Sequence, residues 1–319
     1  MSGHLVHRPH HRILLAAVCA TAGACGGPET GSPRDAGAAG PLTAETGAIR
    51  LAAGQESTVC RTFRLGNDTP LLLRRITAEL GTGSHHLILY RSADTQESPT
   101  PTACTPFGGI LGGGQVPIMI AQSAHAELSW PEGVALRIEA HQMVKLEVHF
   151  LNTSASDLEA HAEAELEGVP EEQGKELAKS DISFWGTTKI NIPPNGTQDT
   201  GVLFQSGIAG TKAFATTTHQ HRLGTRFEVW YAASDAADPS DTEPLAETTS
   251  WADPPLYQLD PELAFDGQNG LKYRCEWKNP TSTTVTFGES ALQEMCFFWV
   301  YYYPSRGFDV CIDGTCYGR

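Results

Sequence analysis

From Ile49 to about Glu167 the chain is a succession of short runs separated by Gly, Pro and Asn: "STVCRTFRL", "HHLILY", "ALRIEA", "VKLEVHFLN" and "LEAHAEAELEG". No window of comparable length carries a helical period, so these runs read as strands joined by turns. The pattern resumes after residue 181 with "ISFWGTTKINIP", "AFATTTHQH", "TRFEVWYAA", "LKYRCEWKN", "TTVTFG" and "CFFWVYYYP". A content of 32 Gly, 20 Pro and only 18% charged residues suits many turns and short strands. At 319 residues the chain is about twice a typical domain. The expected architecture is therefore all-β, with two tandem β-sandwich domains over 48–170 and 178–319. The polar stretch "GVPEEQGKELAKSD" (168–181) is the expected connection between them. Residues 234–262, acidic and Pro-rich, are expected to form a surface flap. "FGGILGGGQVP" (107–117) has no lysine for a phosphate-binding loop, so it is expected to be a flexible loop.

A formal charge of -15 opposes binding to phosphate backbones, so no nucleic-acid partner is expected. Residues 1–25 have the form of a signal peptide: a His/Arg-rich head, the short apolar stretch "ILLAAVCATAGA", then small residues. "TAGAC" resembles a bacterial lipobox, with Ala22 where Leu is usual, and makes Cys25 the expected lipid anchor. Simple secretion is the alternative. The expected location is a bacterial outer-membrane or cell-surface lipoprotein, otherwise periplasmic or secreted, with residues 26–47 as a flexible linker. Of eight cysteines, Cys19 and Cys25 fall in this segment. The six that remain in an exported chain point to disulfides. The expected pairs, among fifteen possible connectivities, are Cys60–Cys104, Cys275–Cys296 and Cys311–Cys316.

The histidines carry the chemistry. In "THQHRLG", His219 and His221 stand at i and i+2, so on a strand they share a face roughly 6–7 Å apart and can converge on one ion. Two solvent-facing histidines would have the same spacing. His85 and His86 are adjacent, so an ideal strand sends them to opposite faces unless a strand end or bulge intervenes. His149 lies with Lys145 and Glu147 on the face opposite Val144, Leu146 and Val148. Met295 precedes Cys296 in "GESALQEMCFFWVYYYP"; a strand methionine is ordinarily core, but its thioether is a soft ligand that favours Cu(I).

Taken in order, His-His, the histidine of "EVHF", His-x-His followed by Leu-Gly, and Glu-Met-Cys before an aromatic strand resemble the copper type II, ascorbate-dependent monooxygenases. These include the dopamine β-hydroxylating and peptidylglycine α-hydroxylating enzymes. The resemblance runs from about Cys60 to Cys311, and "MCFFWVYYYPSRGFDVC" is most similar to the dopamine-hydroxylating branch. Cys60–Cys104 and Cys275–Cys296 fit disulfides of the family.

The resemblance implies jelly-roll-like domains and two coppers per chain. One copper would be held by His85, His86 and His149, and the other by His219, His221 and Met295 as the catalytic, oxygen-binding site. It further implies dioxygen, ascorbate or an equivalent one-electron donor, and a small-molecule substrate. His125, His141 and His161 match no ligand position and are expected at the surface or satisfied in the core. Thr217 stands where the peptide-amidating enzymes carry an arginine, and Phe297 and Trp299 replace their asparagine and tyrosine. These three residues are the candidates for lining a substrate site, with an aromatic or apolar substrate in place of a peptide. Glu289 and Glu294, near Met295, are carboxylates that can meet an amine. Two rival readings are a non-catalytic copper-binding surface lipoprotein and a metal-free structural sandwich.

Overall fold

A computed structural model describes residues 41–108, 110, 114–239 and 242–318. The expected signal peptide, Cys25 and most of the linker lie outside the described residues. Within them the regular structure is all strand apart from a single 3-10 turn at Glu171–Gln173. One ladder crosses the expected boundary: Ala178–Lys179, at the start of the span expected for the second domain, pairs in parallel with Val134–Ile138, so the stretch expected to be only a connection contributes strand to the N-terminal sheet. The other ladders among the described residues join strands of one half.

The N-terminal half has two principal sheets. One runs in the order Leu42–Glu45, Ala162–Pro170, Leu71–Leu80, Val134–Ile138, Ala178–Lys179, with His125–Ser129 also paired to Leu71–Leu80. The other runs Ser98–Ala103, Glu56–Arg64, Met143–Leu151, Ser84–Ser92, Gln115–Ala121. Alternation along Ser84–Ser92 sends Leu87 and Leu89 into a core shared with Leu73 and Ile76, which an irregularity at Arg74 brings to one face of Leu71–Leu80. The linker expected through residue 47 ends earlier, because Leu42–Glu45 is an edge strand antiparallel to Ala162–Pro170. Its Ala44 is fully buried. Four residues are too few to display a period, so only the neighbouring strand reveals this one.

The C-terminal half also has two sheets. One is ordered Tyr257–Phe265, Thr211–His219, Phe297–Tyr303, Asp181–Gly186, Asp309–Ile312, Thr315–Tyr317. The other is built on Gly196–Asp199, Gly270–Asn279, Gly224–Ala232 and Ala246–Thr248. The aromatic strand Phe297–Tyr303 is buried on both faces. Phe298 and Val300 enter the core of their own half with Phe227 and Tyr273, whereas Phe297, Trp299 and Tyr301 join the cluster that contains the N-terminal core. That double burial explains its unbroken apolar run.

The two halves do not separate into independent contact units. The Ile120 N–H donates to the Tyr301 hydroxyl (3.1 Å), the Gln122 amide donates to Thr218 O (2.7 Å), and Arg91 pairs with Asp181 (3.0 Å). Gly186 lets the strands close beside the site, since a Cβ there would lie 2.2 Å from Cys296 O. The three disulfides pair Cys60 with Cys104, Cys275 with Cys296 and Cys311 with Cys316, as expected.

Candidate metal centre

The strands Ser84–Ser92 and Met143–Leu151 are antiparallel, with His86 opposite His149 and Ser84 opposite Phe150. One residue is therefore extra on the first strand, and it is His85. The bulge resolves the difficulty of adjacent strand histidines: it turns His85 back toward the side that His86 and His149 occupy. Ring centroids lie 5.2 Å apart for His85–His86, 5.4 Å for His85–His149 and 5.2 Å for His86–His149. His219 ends the strand Thr211–His219, opposite Phe297, and His221 follows on the same face, 5.1 Å from it between centroids.

The two groups are not separate. His85 lies 5.6 Å from His219 and 6.0 Å from His221, and His86 lies 5.4 Å from His219. All five imidazoles are buried, with His85 the most exposed at 4%. They form one cluster where the halves meet.

Hydrogen bonds fix three of the tautomers. Gln122 uses its amide nitrogen as donor to Thr217 Oγ1 (3.1 Å) and Thr218 O, so its oxygen accepts from His219 Nδ1–H (2.5 Å). The Gln293 carbonyl can only accept, so His221 Nδ1–H donates to it (3.0 Å). Glu56 likewise accepts from His149 Nε2–H (2.9 Å). This leaves His149 Nδ1, His219 Nε2 and His221 Nε2 as lone pairs, together with one nitrogen each of His85 and His86, whose other nitrogen carries an N–H. All of these atoms are buried without a partner. Leaving a buried nitrogen unpaired costs roughly 1–3 kcal/mol, and a cluster of such atoms fits a metal ion. The anchoring of one ring nitrogen by amide, carbonyl or carboxylate is the usual support of a metal-ligating histidine.

Burial also keeps the rings neutral, as metal ligation requires. It holds His85, His86 and His219 well below the ordinary imidazole range, and lowers His221 to about 4. His149 is lowered by burial too, against the opposing pull of Glu56.

Met295 is 3% exposed and follows Glu294, whose carboxylate accepts from His221 N (3.0 Å), Leu223 N (2.7 Å) and Trp277 Nε1 (2.9 Å). The ladder ends with His219 opposite Phe297, and Met295 precedes Phe297 by two residues. Its side chain lines a cavity of about 240 Å³ together with Phe107, Phe184, Phe287, Phe297 and Glu289. Phe107 connects this cavity to the histidines, with its ring 5.2 Å from His86 and 5.5 Å from His219.

Of the other candidate lining residues, Thr217 is 1% exposed and accepts the bond from Gln122, and Trp299 is fully buried against Phe184 (4.3 Å between centroids). Neither borders this cavity; Phe297 does. Glu294 is committed to its three donors, so Glu289 is the carboxylate that faces the cavity. His125, His141 and His161 are exposed, the first against Glu79 and the second near Asp68.

Four residues at the site escaped sequence reasoning. Glu56 and Gln122 have no local signature, because they act on rings far away in the chain. Phe107 belongs to the stretch expected to be a flexible loop, yet it is 8% exposed and its N–H donates to buried Glu147 (2.8 Å). Residues 115–117 of the same stretch are strand. Trp251, in the expected surface flap, packs its ring 5.2 Å from His85, and Pro254 O accepts from Ser123 Oγ (3.1 Å).

Fold and site together define an all-β protein with a buried polyhistidine centre suited to a metal. Residues 190–317 match the family model described as copper type II ascorbate-dependent monooxygenase, C-terminal domain, a span that holds His219, His221, Met295 and the Cys275–Cys296 disulfide. That span is similar to the C-terminal domain of the copper monooxygenase family and covers less than half of the chain. Among solved structures, the major capsid protein P2 from bacteriophage PM2 is similar over 82% of this chain and 96% of that one. Its identity is 7% and its TM-score 0.31, too slight a likeness to argue from.

Proposed function

We propose that the protein is a copper-dependent monooxygenase that hydroxylates a C–H bond of a small aromatic or apolar molecule, using dioxygen and ascorbate or another one-electron donor. The observation that carries this reading is the set of buried, neutral, unpartnered imidazole nitrogens beside an apolar cavity lined by Met295. When bound, copper supplies one-electron redox steps and activates dioxygen. His149, His219 and His221 offer it nitrogens whose direction Glu56, Gln122 and Gln293 set. Copper in two places on this cluster, one toward His86 and His149 and one toward His219, His221 and Met295, is part of the proposal. Burial of the rings excludes water from the reacting groups.

The cavity is below the usual ligand-pocket range of roughly 300–1,000 Å³, which favours a small substrate. Phe107, Phe184 and Phe297 would hold an apolar or aromatic body, and Glu289 supplies one charged wall. Thr217 cannot serve as a cationic anchor for a peptide carboxylate, and its hydroxyl is already engaged by Gln122. Three disulfides support an exported location, with Cys25 as the lipid anchor to the membrane.

The test is ascorbate-dependent oxygen uptake and product formation by copper-loaded protein with small aromatic amines and apolar compounds, comparing wild type with Met295→Ala. Coupled hydroxylated product that falls with the substitution is expected. Uptake indifferent to it removes Met295 from the oxygen site. A copper-binding role without turnover is the second reading, favoured by the near-complete burial of the histidines. Hydroxylated product in step with ascorbate consumption eliminates it.

A further inference from the structure

The ligand nitrogens of His85, His219 and His221 all lie within 4.8 Å of one another, and all three residues are buried. This grouping cuts across the two ligand trios implied by resemblance, since His85 comes from the N-terminal half and the other two from the C-terminal half. His85 is also the hub of the cluster: its ring centroid lies within 6.0 Å of those of all four other histidines. Neither of its nitrogens has a hydrogen-bond partner, whereas His219 and His221 are each held through Nδ1 with Nε2 free. An imidazole on a bulge with no anchoring bond can rotate toward either neighbour, and Trp251 covers it from the C-terminal half.

We infer that His85, His219 and His221 together form one metal site, in which a single ion is held across the two halves and clasps them together. The inference rests on the copper reading above. It differs in making His85 a ligand shared with the C-terminal half and in leaving Met295 outside the site that fills first. Such an ion binds only the docked arrangement, so it stabilises docking by mass action.

The test uses the full chain, metal-free, titrated anaerobically with Cu(I) against a chromophoric chelator. Wild type at one equivalent is also examined by X-ray absorption. The expected spectrum shows three nitrogen donors and no sulfur. His85→Ala and His219→Ala should each weaken the first equivalent by at least about a hundredfold, beyond the roughly 10–100-fold that loss of an outer partner costs. They should also abolish the copper-induced rise in melting temperature. His125→Ala, which removes an exposed histidine outside the cluster, should leave the first equivalent within about threefold.

Sulfur in the wild-type spectrum overturns the inference, as does a His85→Ala protein that keeps the first equivalent within about threefold of wild type. The wild-type spectrum decides the matter even if a variant fails to fold. Wild type that retains no copper overturns both this inference and the proposed function. Copper bound in the shared site without coupled hydroxylation overturns the proposed function alone.

Discussion

Gln122 is the residue through which the two halves are expected to control the metal centre, and its removal has a calculable effect. It follows the strand Gln115–Ala121, is 3% exposed, and makes three bonds to the other half: from His219 Nδ1–H (2.5 Å), to Thr218 O (2.7 Å) and to Thr217 Oγ1 (3.1 Å). Gln122→Ala leaves the His219 N–H buried without an acceptor, at roughly 1–3 kcal/mol, and loses two neutral bonds worth about 0.5–1.5 kcal/mol each. The sum is a destabilisation of roughly 2–6 kcal/mol, at the large end for one substitution. With its partner gone the His219 ring is no longer aimed, and copper affinity should fall roughly 10–100-fold. Gln122→Glu keeps an oxygen for His219 but loses the amide donor and sets a carboxylate against Thr218 O. It should therefore bind copper more tightly than the alanine variant while being comparably destabilised. Urea unfolding of metal-free protein and chelator competition for Cu(I) measure the two effects. A Gln122→Ala protein with copper affinity within about twofold of wild type would refute the positioning role assigned from these bonds.

Three further outcomes are expected. Tyr301→Phe deprives the buried Ile120 N–H of its acceptor and should cost about 1–3 kcal/mol in urea unfolding; no measurable change means the bond does not help join the halves. Replacing Cys275 and Cys296 together by serine opens a loop with a sequence separation of 21 and should cost about 3 kcal/mol, checked by the shift in unfolding midpoint, with a loss below about 1 kcal/mol counting against it. For pH, the buried imidazoles bind fewer protons folded than unfolded, so their contribution is full above the unfolded value near 6.5 and is lost as pH falls toward the folded values. For His221, lowered to about 4, that loss is roughly 3 kcal/mol. Buried Glu147 and Glu294, raised to about 7, act in the opposite direction, since the cost of ionising them disappears on acidification. The clean readout is a comparison: metal-free His221→Asn should lose less stability than wild type between pH 6.5 and 4, and parallel curves would sink the assignment.

The lining of the centre was legible to different depths. Met295 and Phe297 stand out because a soft ligand and an aromatic run have distinctive chemistry. Glu56 and Gln122 do not, since a glutamate at a strand start and a glutamine at a strand end are ordinary surface residues until a histidine from elsewhere arrives 2.9 Å or 2.5 Å away. Phe107 and Trp251 sit in stretches whose glycines or acidic residues read as loop, and each packs against a histidine of the opposite half, Phe107 on His219 and Trp251 on His85. Thr217 was placed at a substrate site by its position in the pattern. Docking instead turns its hydroxyl to Gln122.

What the sequence determined by itself is what depends on neighbours along the chain. The alternation of "VKLEVHFLN", the shared face of His219 and His221, and the order of histidines and methionine all follow from strand geometry and residue chemistry. The tertiary structure alone decided that His85 is the bulged residue, that Leu42–Glu45 closes a sheet edge, and that five histidines from both halves make one cluster. The reason is physical. A strand's pleat is set within a few residues, whereas convergence of rings 63 to 136 positions apart depends on long-range register and on how two cores pack against each other.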